Sequence, residues 1–396
     1  MLCYRMTKIN LHSLVVLANV PGNETHTLPS VSHKLIDLNA LRLEIAGRLD
    51  NHLYDGSVWQ EAYRRANLLL EHGQGVVFTG GFLQTRDVDT IIDIAGRSGV
   101  KLYWKLPKWQ DTSHRLAPVY NQVVKKIQKS QQGEILGEAF TFAQISHIQQ
   151  PTRILAVGDV HGNLLAMQKA IAMAQKEQLF IVWLGDILDY GNNNLWCIRA
   201  AYDTVINGQA HMIWGNHERK ISKWISSNWG QHFRGNLSDA NLATINEIQT
   251  LAPDSLIRFH SAWRALENQS TQHWVVNNFM FTHGAATPAM WHMNSHRLRG
   301  VHAEHAYFGE VIDGRAKTSQ GYPVRTWDWV NNVPNNHTVV VGHDWLDHHT
   351  CCVTGKQGLQ GGQVLCVDTG SSKGGRLGGV AIDLQTQTWE ERYFDT

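Results

Sequence analysis

The sequence predicts two α/β domains: an N-terminal one built on a parallel sheet, and a C-terminal one whose two sheets pack as a sandwich flanked by helices. Three observations carry this. In the first hundred residues, short apolar runs alternate with helical patterns, the signature of βαβ units. From residue 152 onward, five apolar runs each end in a small residue followed by a side chain able to bind a metal. Beyond residue 270, apolar and polar residues alternate, as in half-buried strands. At 396 residues, two domains is also the natural expectation from size.

In order, HSLVVLAN at 12–19 reads as a buried strand and PGNETHTL as the turn after it. Apolar residues at helical spacing run from Leu38 to Leu53, and Val58 to His72 is an amphipathic helix. GQGVVFTGG reads as a second strand and turn, Thr85–Arg97 as a helix, and VKLYWKL at 100–106 as a third strand. The polar, glutamine-rich stretch from Trp109 to about Gln150 reads as a helical or extended connector, with Pro151 as the boundary. The expected division is therefore 1–110, a linker at 111–150, and 151–396.

In the second part, TRILAVGDVHG at 152–162 is a buried strand that breaks at a glycine and delivers an aspartate and a histidine. GDILDYG at 185–191, WGNHE at 214–218, FTHG at 281–284 and VGHD at 341–344 repeat the construction. Such side chains sit past the carboxyl ends of strands, where open α/β sheets place their sites. One motif alone would be an ordinary turn or helix cap; five in series point to a metal centre. The helices between residues 219 and 270 are expected to cap it. Beyond them WVVNNFMFTHG, HTVVVGHD, GGQVLCVDTG, LGGVAIDL and TWEERYF are expected to form the second sheet.

The expected metal ligands are Asp159, His161, Asp186, Asn216, His283 and His343. Oxygen and nitrogen donors without thiolate suit two divalent ions, with Mn²⁺ expected and Fe, Zn²⁺ or Ni²⁺ also compatible. Asp186 is the carboxylate placed to bridge the pair. His217 is expected to face the substrate as general acid, its ring held in one tautomer by Asp189.

Bulk properties exclude several classes. A formal net charge of +1 and a pI near 7.8 supply no global basic field for nucleic acid. Five cysteines without regular spacing argue against a secreted disulfide framework and for a cytoplasmic protein. The N-terminal apolar run is short and interrupted, so it reads as a first core strand rather than a signal peptide. Nothing approaches the ~20 apolar residues of a membrane span.

The set GDVHG, GDILDYG, GNHE, THG and GHD resembles the calcineurin-like metallophosphoesterase superfamily, in its phosphoprotein-phosphatase-like branch. The phosphatase module of bacterial polynucleotide kinase–phosphatase is the nearest subgroup, through three further stretches. GNHERK keeps the basic Lys220, GYPVRTWDWV contains Arg325 in a PVR-x-x-W pattern, and VDTGSSKGGRLGGVAI places Asp368 near the metals in a DTG-x-x-x-GG-x-L pattern. The first hundred residues resemble the P-loop kinase domain of the same architecture. Its working parts are missing: NVPGNETH at 19–26 lacks the second glycine and the lysine of a phosphate loop, and Asn39 stands where the kinase has its catalytic aspartate, although Arg42 is kept.

The resemblance implies a P-loop-kinase-like domain without kinase activity, joined to an α/β/β/α metallophosphoesterase sandwich. The implied activity is hydrolysis of phosphomonoesters or of simple or cyclic phosphodiesters, nucleotides and RNA ends among them, by in-line attack of a metal-bridging hydroxide. Lys220, Arg325 and Asn216 are the implied substrate contacts, and the N-terminal domain is left to dock a protein partner. One departure matters. The family's GDxxDRG has an arginine that grips phosphate, and Tyr190 stands there instead. The competing readings are a serine/threonine protein phosphatase or dinucleoside polyphosphate hydrolase, and a non-catalytic binding or scaffold protein with a vestigial site.

Overall fold

The computed structural model describes residues 7–18, 33–48, 55–79, 83–106, 117–136, 140–142, 151–293, 298–312, 316–318, 323–344 and 353–395. The architecture is mixed α/β, arranged as two compact units. One comprises Met1–His147, Ile206–Gly208 and Ala252–Asn268; the other comprises Ile148–Val205, Gln209–Leu251 and Gln269–Thr396.

In the first unit, β1 (Thr7–Ile9) leads to β2 (Ser13–Leu17), β3 (His33–Asp37), α1 (Leu38–Ala46) and α2 (Asp55–Glu71). Then follow β4 (Gly75–Thr79), α3 (Thr85–Ser98), β5 (Lys101–Lys105), α4 (Ala117–Ser130), β6 (Glu134–Ile135) and β7 (Phe140–Phe142). Five strands form a wholly parallel sheet in the order β3-β4-β2-β5-β6, and β1 pairs with β7 separately. Val58, Ala62, Ala66 and Leu70 recur every four residues along α2 and are buried in one core with Leu14, Val16, Val76 and Phe78 of the sheet.

Three features differ from the sequence expectation. β3 was not anticipated because HKLID is short and polar; it is an edge strand, and Leu35 is half exposed. The stretch expected to be a separate helical or extended connector belongs to the first unit and carries α4 and β6. Tyr120, Val123 and Ile127 form a buried stripe on α4, while its lysines and glutamines mask that stripe in the sequence. Helix α1 ends at Ala46, because Gly47 takes a left-handed φ of 70° and closes the last turn onto Leu43. The phosphate-loop position at 19–26 lies outside the described residues.

The second unit starts with β8 (Arg153–Val157), α5 (Leu164–Glu177), β9 (Phe180–Trp183), α6 (Asn194–Ile206), β10 (Ala210–Met212), α7 (Asn216–Ser226) and α8 (Asp239–Gln249). Helix α9 (Pro253–Gln269), expected among the caps over the site, packs instead within the first unit. Its Ser261 hydroxyl donates to the Leu70 carbonyl at 2.6 Å, and Gly73 allows the α9 backbone to approach so closely that a Cβ would lie 2.0 Å from Ala265 N. The second unit continues with β11 (His273–Val276), β12 (Phe279–Thr282), α10 (Gly300–Phe308), β13 (Glu310–Val311), β14 (Arg325–Thr326), β15 (Thr338–Val341), β16 (Thr354–Gln357), β17 (Gln363–Cys366), β18 (Leu377–Asp383) and β19 (Thr388–Phe394).

Two five-stranded sheets result, in the orders β10-β9-β8-β18-β19 and β11-β12-β15-β17-β16. The last two strands were expected in the second sheet. They join the first, with β18 antiparallel to β8 and covering its open edge. Ile154, Ala156, Val182, Val380 and Ile382 of the first sheet share one core with Phe279, Phe281, Val340 and Leu365 of the second. On the outer face of the second sheet, Met280, Val339, Val341 and Val364 pack with Ala303 and Ala306 of α10. Among the described residues, no helix is long and apolar enough to cross a membrane.

Candidate metal centre

In each sheet the three mutually parallel strands all end on the same side of the chemistry. Past β8 come Asp159 and His161, past β9 Asp186, and past β10 Asn216; past β12 come His283, past β15 His343 and past β17 Asp368. The turns that present them are strained. His161, Asp186 and His343 have φ of 48°, 50° and 63°, and Asp189 and Tyr190 of 74° and 66°. A non-glycine residue in this region costs about 1 kcal/mol or more, so the surroundings must enforce it.

The enforcement is visible. Val160 and His161 N–H both donate to the Asp186 carbonyl, at 3.1 and 2.9 Å, lacing two of the turns together. His343 N–H donates to Asp159 Oδ1 at 3.0 Å, and His217 N–H to Asp186 Oδ1 at 3.1 Å. Glycines admit the close approach: a Cβ on Gly215 would lie 2.3 Å from Asp186 Oδ1, and one on Gly342 2.2 Å from Asp159 Oδ1.

The imidazoles are oriented by carbonyls, which only accept. His161 Nδ1 donates to Leu188 O at 2.9 Å and His283 Nδ1 to Leu184 O at 2.7 Å, leaving each Nε2 lone pair turned inward. His161 Nε2 lies 3.8 Å from Asp159 Oδ2 and 4.0 Å from Asp186 Oδ2; His283 Nε2 lies 3.4 Å from Asp186 Oδ2. Two overlapping ligand groups result, one of His161, Asp186 and His217 and one of Asp186, His283 and His343, each with its candidate ligand atoms within 4.8 Å of one another. Asp186 belongs to both. His217 was expected to face substrate, yet its Nε2 is 3.7 Å from Asp186 Oδ2 and also within reach of the first group.

The donor set fits cations. The Asn216 side-chain amide presents one end to this set, 2.9 Å from His283 Nε2, 3.0 and 3.2 Å from the Asp186 oxygens and 3.2 Å from His343 Nδ1; with its nitrogen there it donates to these acceptors, and with its oxygen there it joins them as a ligand. Carboxylate and imidazole electron-pair donors converging in this way are the set that surrounds a positive ion. Asp159, Asp186 and Asp368 are all buried. Burial, with Asp368 and Asp186 nearby, pushes Asp159 well above the usual carboxylate range. Burial acts in the same direction on Asp186, but His283 and His217 outweigh it and hold that group well below. Such a concentration of buried carboxylate is costly without a compensating cation.

His217 Nδ1 donates to Asp189 Oδ2, which also takes a bond from the Asn241 amide, and Thr244 Oγ1 donates to Asp189 Oδ1 at 2.5 Å. Burial lowers the His217 pKa, but the Asp186 and Asp189 carboxylates outweigh it and leave it raised. Asp368 accepts from Gly370 N–H at 3.0 Å and, buried beside Asp159, has a raised pKa. The expected substrate contacts are less open. Lys220 Nζ donates to Asn241 Oδ1 at 3.4 Å; Arg325 Nε donates to the Phe308 carbonyl at 2.6 Å, and its Nη1 lies 3.9 Å from Asp344.

Sequence reasoning missed Glu218. Its carboxylate accepts from Gly215 N–H at 3.0 Å, Asp186 N–H at 2.9 Å and Ile187 N–H at 2.8 Å, bracing the turn that presents Asp186. Burial and the Asp186 charge raise it to about 7. The signal was the capping-box glutamate in GNHE. Glu218→Ala strands three buried donors and should cost about 3 kcal/mol or more, read as a lowered urea midpoint. Asn241 and Thr244 left no signal, being ordinary polar residues on α8.

A sandwich whose two sheets deliver histidines and carboxylates to one edge defines a metallohydrolase scaffold. The sequence profile described as calcineurin-like phosphoesterase matches residues 152–370, more than half of the chain, and the chain belongs to that family. Its members are metal-dependent phosphoester hydrolases that use divalent ions. No curated protein sequence matches the chain. Among solved structures, a proposed diadenosine tetraphosphatase is similar at 18% identity and a TM-score of 0.41, over 62% of this chain and 95% of that one. A protein serine/threonine phosphatase from Saccharomyces cerevisiae, with similarity to human phosphatase PP5, is similar at 14% identity and a TM-score of 0.41, over 80% of this chain and 91% of that one.

Proposed function

We propose that the second unit hydrolyses phosphomonoesters or simple or cyclic phosphodiesters, of nucleotides or RNA ends among others, with two divalent ions, Mn²⁺ foremost. The carrying observation is that the Asp186 carboxylate faces two ligand groups at once. In this reading Asp159, His161 and Asp186 hold one ion, and Asp186, Asn216, His283 and His343 the other, with Asp368 tuning Asp159. The ions would supply an activated water and neutralise phosphate charge. His217 keeps Nδ1–H on Asp189, so the proton it gives to the leaving oxygen sits on Nε2.

The first unit, in the same reading, performs no phosphoryl transfer and docks a protein partner, within a polynucleotide kinase–phosphatase-like architecture. Its parallel sheet supports that likeness. Asn39 offers an amide, not a base, and is itself held by Arg42 Nη1 at 3.0 Å, while Arg42 is paired with Asp55 at 2.8 Å. The test is an assay of the full chain with Mn²⁺, and again after chelation, on p-nitrophenyl phosphate and bis-p-nitrophenyl phosphate. Metal-dependent turnover of at least one is expected. Failure on both, with metal bound, would leave the scaffold reading standing.

A further inference from the structure

We propose that Lys373, seated on the ring of Tyr190, is the side chain that grips a non-bridging oxygen of a phosphomonoester substrate. This rests on the hydrolase reading above and names the group that takes over from the absent arginine.

Most cations near the centre are already engaged. Arg325 is spent on the Phe308 carbonyl and faces Asp344; Lys220 is turned to Asn241. Arg219 lies 3.5 Å from Glu304 and over the rings of Tyr307 and Phe308. Lys373 is exposed and, among the described residues, has no carboxylate within 4 Å. Its ammonium lies 5.3 Å from the centroid of the Tyr190 ring.

That ring is the link to the centre. Tyr190 is 41% exposed, and its centroid lies 4.8 Å from that of His161 and 5.5 Å from that of His217. Lys373 therefore stands two ring contacts from a ligand and from the proposed acid.

The turn carrying Lys373 is built. Lys373 N–H donates to Gly370 O at 2.8 Å and Gly375 N–H to the same carbonyl at 3.0 Å, while Ser371 Oγ accepts from the Asn163 amide at 2.9 Å. The Asn163 side chain also caps α5, at 3.3 Å from Ala166 N. A fixed turn thus carries a flexible stem ending in a point charge, braced by an aromatic face. A lysine offers one charge without the paired geometry of arginine. It helps most where charge is greatest, on the dianionic monoester rather than the monoanionic diester.

The test is calorimetric titration of Mn²⁺-loaded full-length protein with inorganic phosphate, beside steady-state kinetics on p-nitrophenyl phosphate. Lys373→Met should weaken phosphate binding about tenfold and raise KM by a similar factor, with kcat changed by less than about threefold. Mn²⁺ stoichiometry should stay the same. Lys373→Arg should recover most of the loss, and Tyr190→Ala should weaken phosphate binding in the same direction. Unchanged phosphate affinity in Lys373→Met, with wild type binding phosphate and turning over substrate, overturns this inference and leaves the hydrolase reading intact. A wild-type chain that takes up Mn²⁺ but neither phosphate nor substrate overturns both.

Discussion

Asp186→Ala is expected to bring turnover of monoester and diester alike to background, a fall of about 10⁴-fold or more in kcat/KM, equivalent to about 5.5 kcal/mol of transition-state stabilisation. The reason is its double membership. The two ligand groups have only Asp186 in common, so its removal damages both together. Metal analysis of the purified variant should show both equivalents lost, where His161→Ala or His343→Ala should each retain at least one. The variant should stay folded. It loses the bond from His217 N–H but also sheds a charge from a buried cluster that already holds Asp159 and Asp368. A variant retaining two tightly held ions would show that the shared carboxylate is not what joins the sites.

The second large effect belongs to His217→Ala, and its size should depend on the leaving group. General acids contribute about 10²–10⁴-fold when the departing oxygen needs a proton. An alkyl phosphate should therefore lose activity in that range, whereas p-nitrophenyl phosphate, whose leaving group departs unaided, should lose far less. Because His217 also reaches Asp186, metal content must be measured alongside: equal losses on both substrates together with lost metal would make His217 a ligand rather than an acid. Asp189→Asn should reproduce a weaker form of the leaving-group pattern, since residue 189, still held by Asn241 and Thr244, would offer the His217 ring a neutral acceptor in place of a charged one.

The centre was the most legible part of the chain, for a physical reason. Presenting a rigid ligand from a sheet edge requires an apolar strand, a small residue at the bend and the ligand itself, all contiguous in sequence. Asp159, Asp186, His283 and His343 each carry that local imprint. Groups that act from a distance carry none. Asn241 and Thr244 reach Asp189 from a separate helix, and Lys373 reaches Tyr190 across the unit, so nothing beside them in the chain announces the contact.

The same distinction explains the fold. Periodicity marked most helices and strands, yet it is silent about partners. LGGVAID reads as a strand in any sheet, and only pairing with β8 assigns it to the first. The stretch around α4 was legible only as a helical or extended connector, because a narrow apolar stripe was diluted by lysine and glutamine on the solvent face. Helix α9 was legible as a helix, but its amphipathic pattern carried no address.

The place of β18 has a consequence for biogenesis. The strand that delivers Asp159 and His161 has β9 on one side from early in synthesis, but its other neighbour is encoded near the far end of the unit. Until that stretch leaves the ribosome, the first two candidate ligands ride on a bare hydrogen-bonding edge, open to pairing with other chains. Completion of the candidate ion-binding pocket is thus tied to β18, so an interrupted polypeptide would carry an open strand edge beside it.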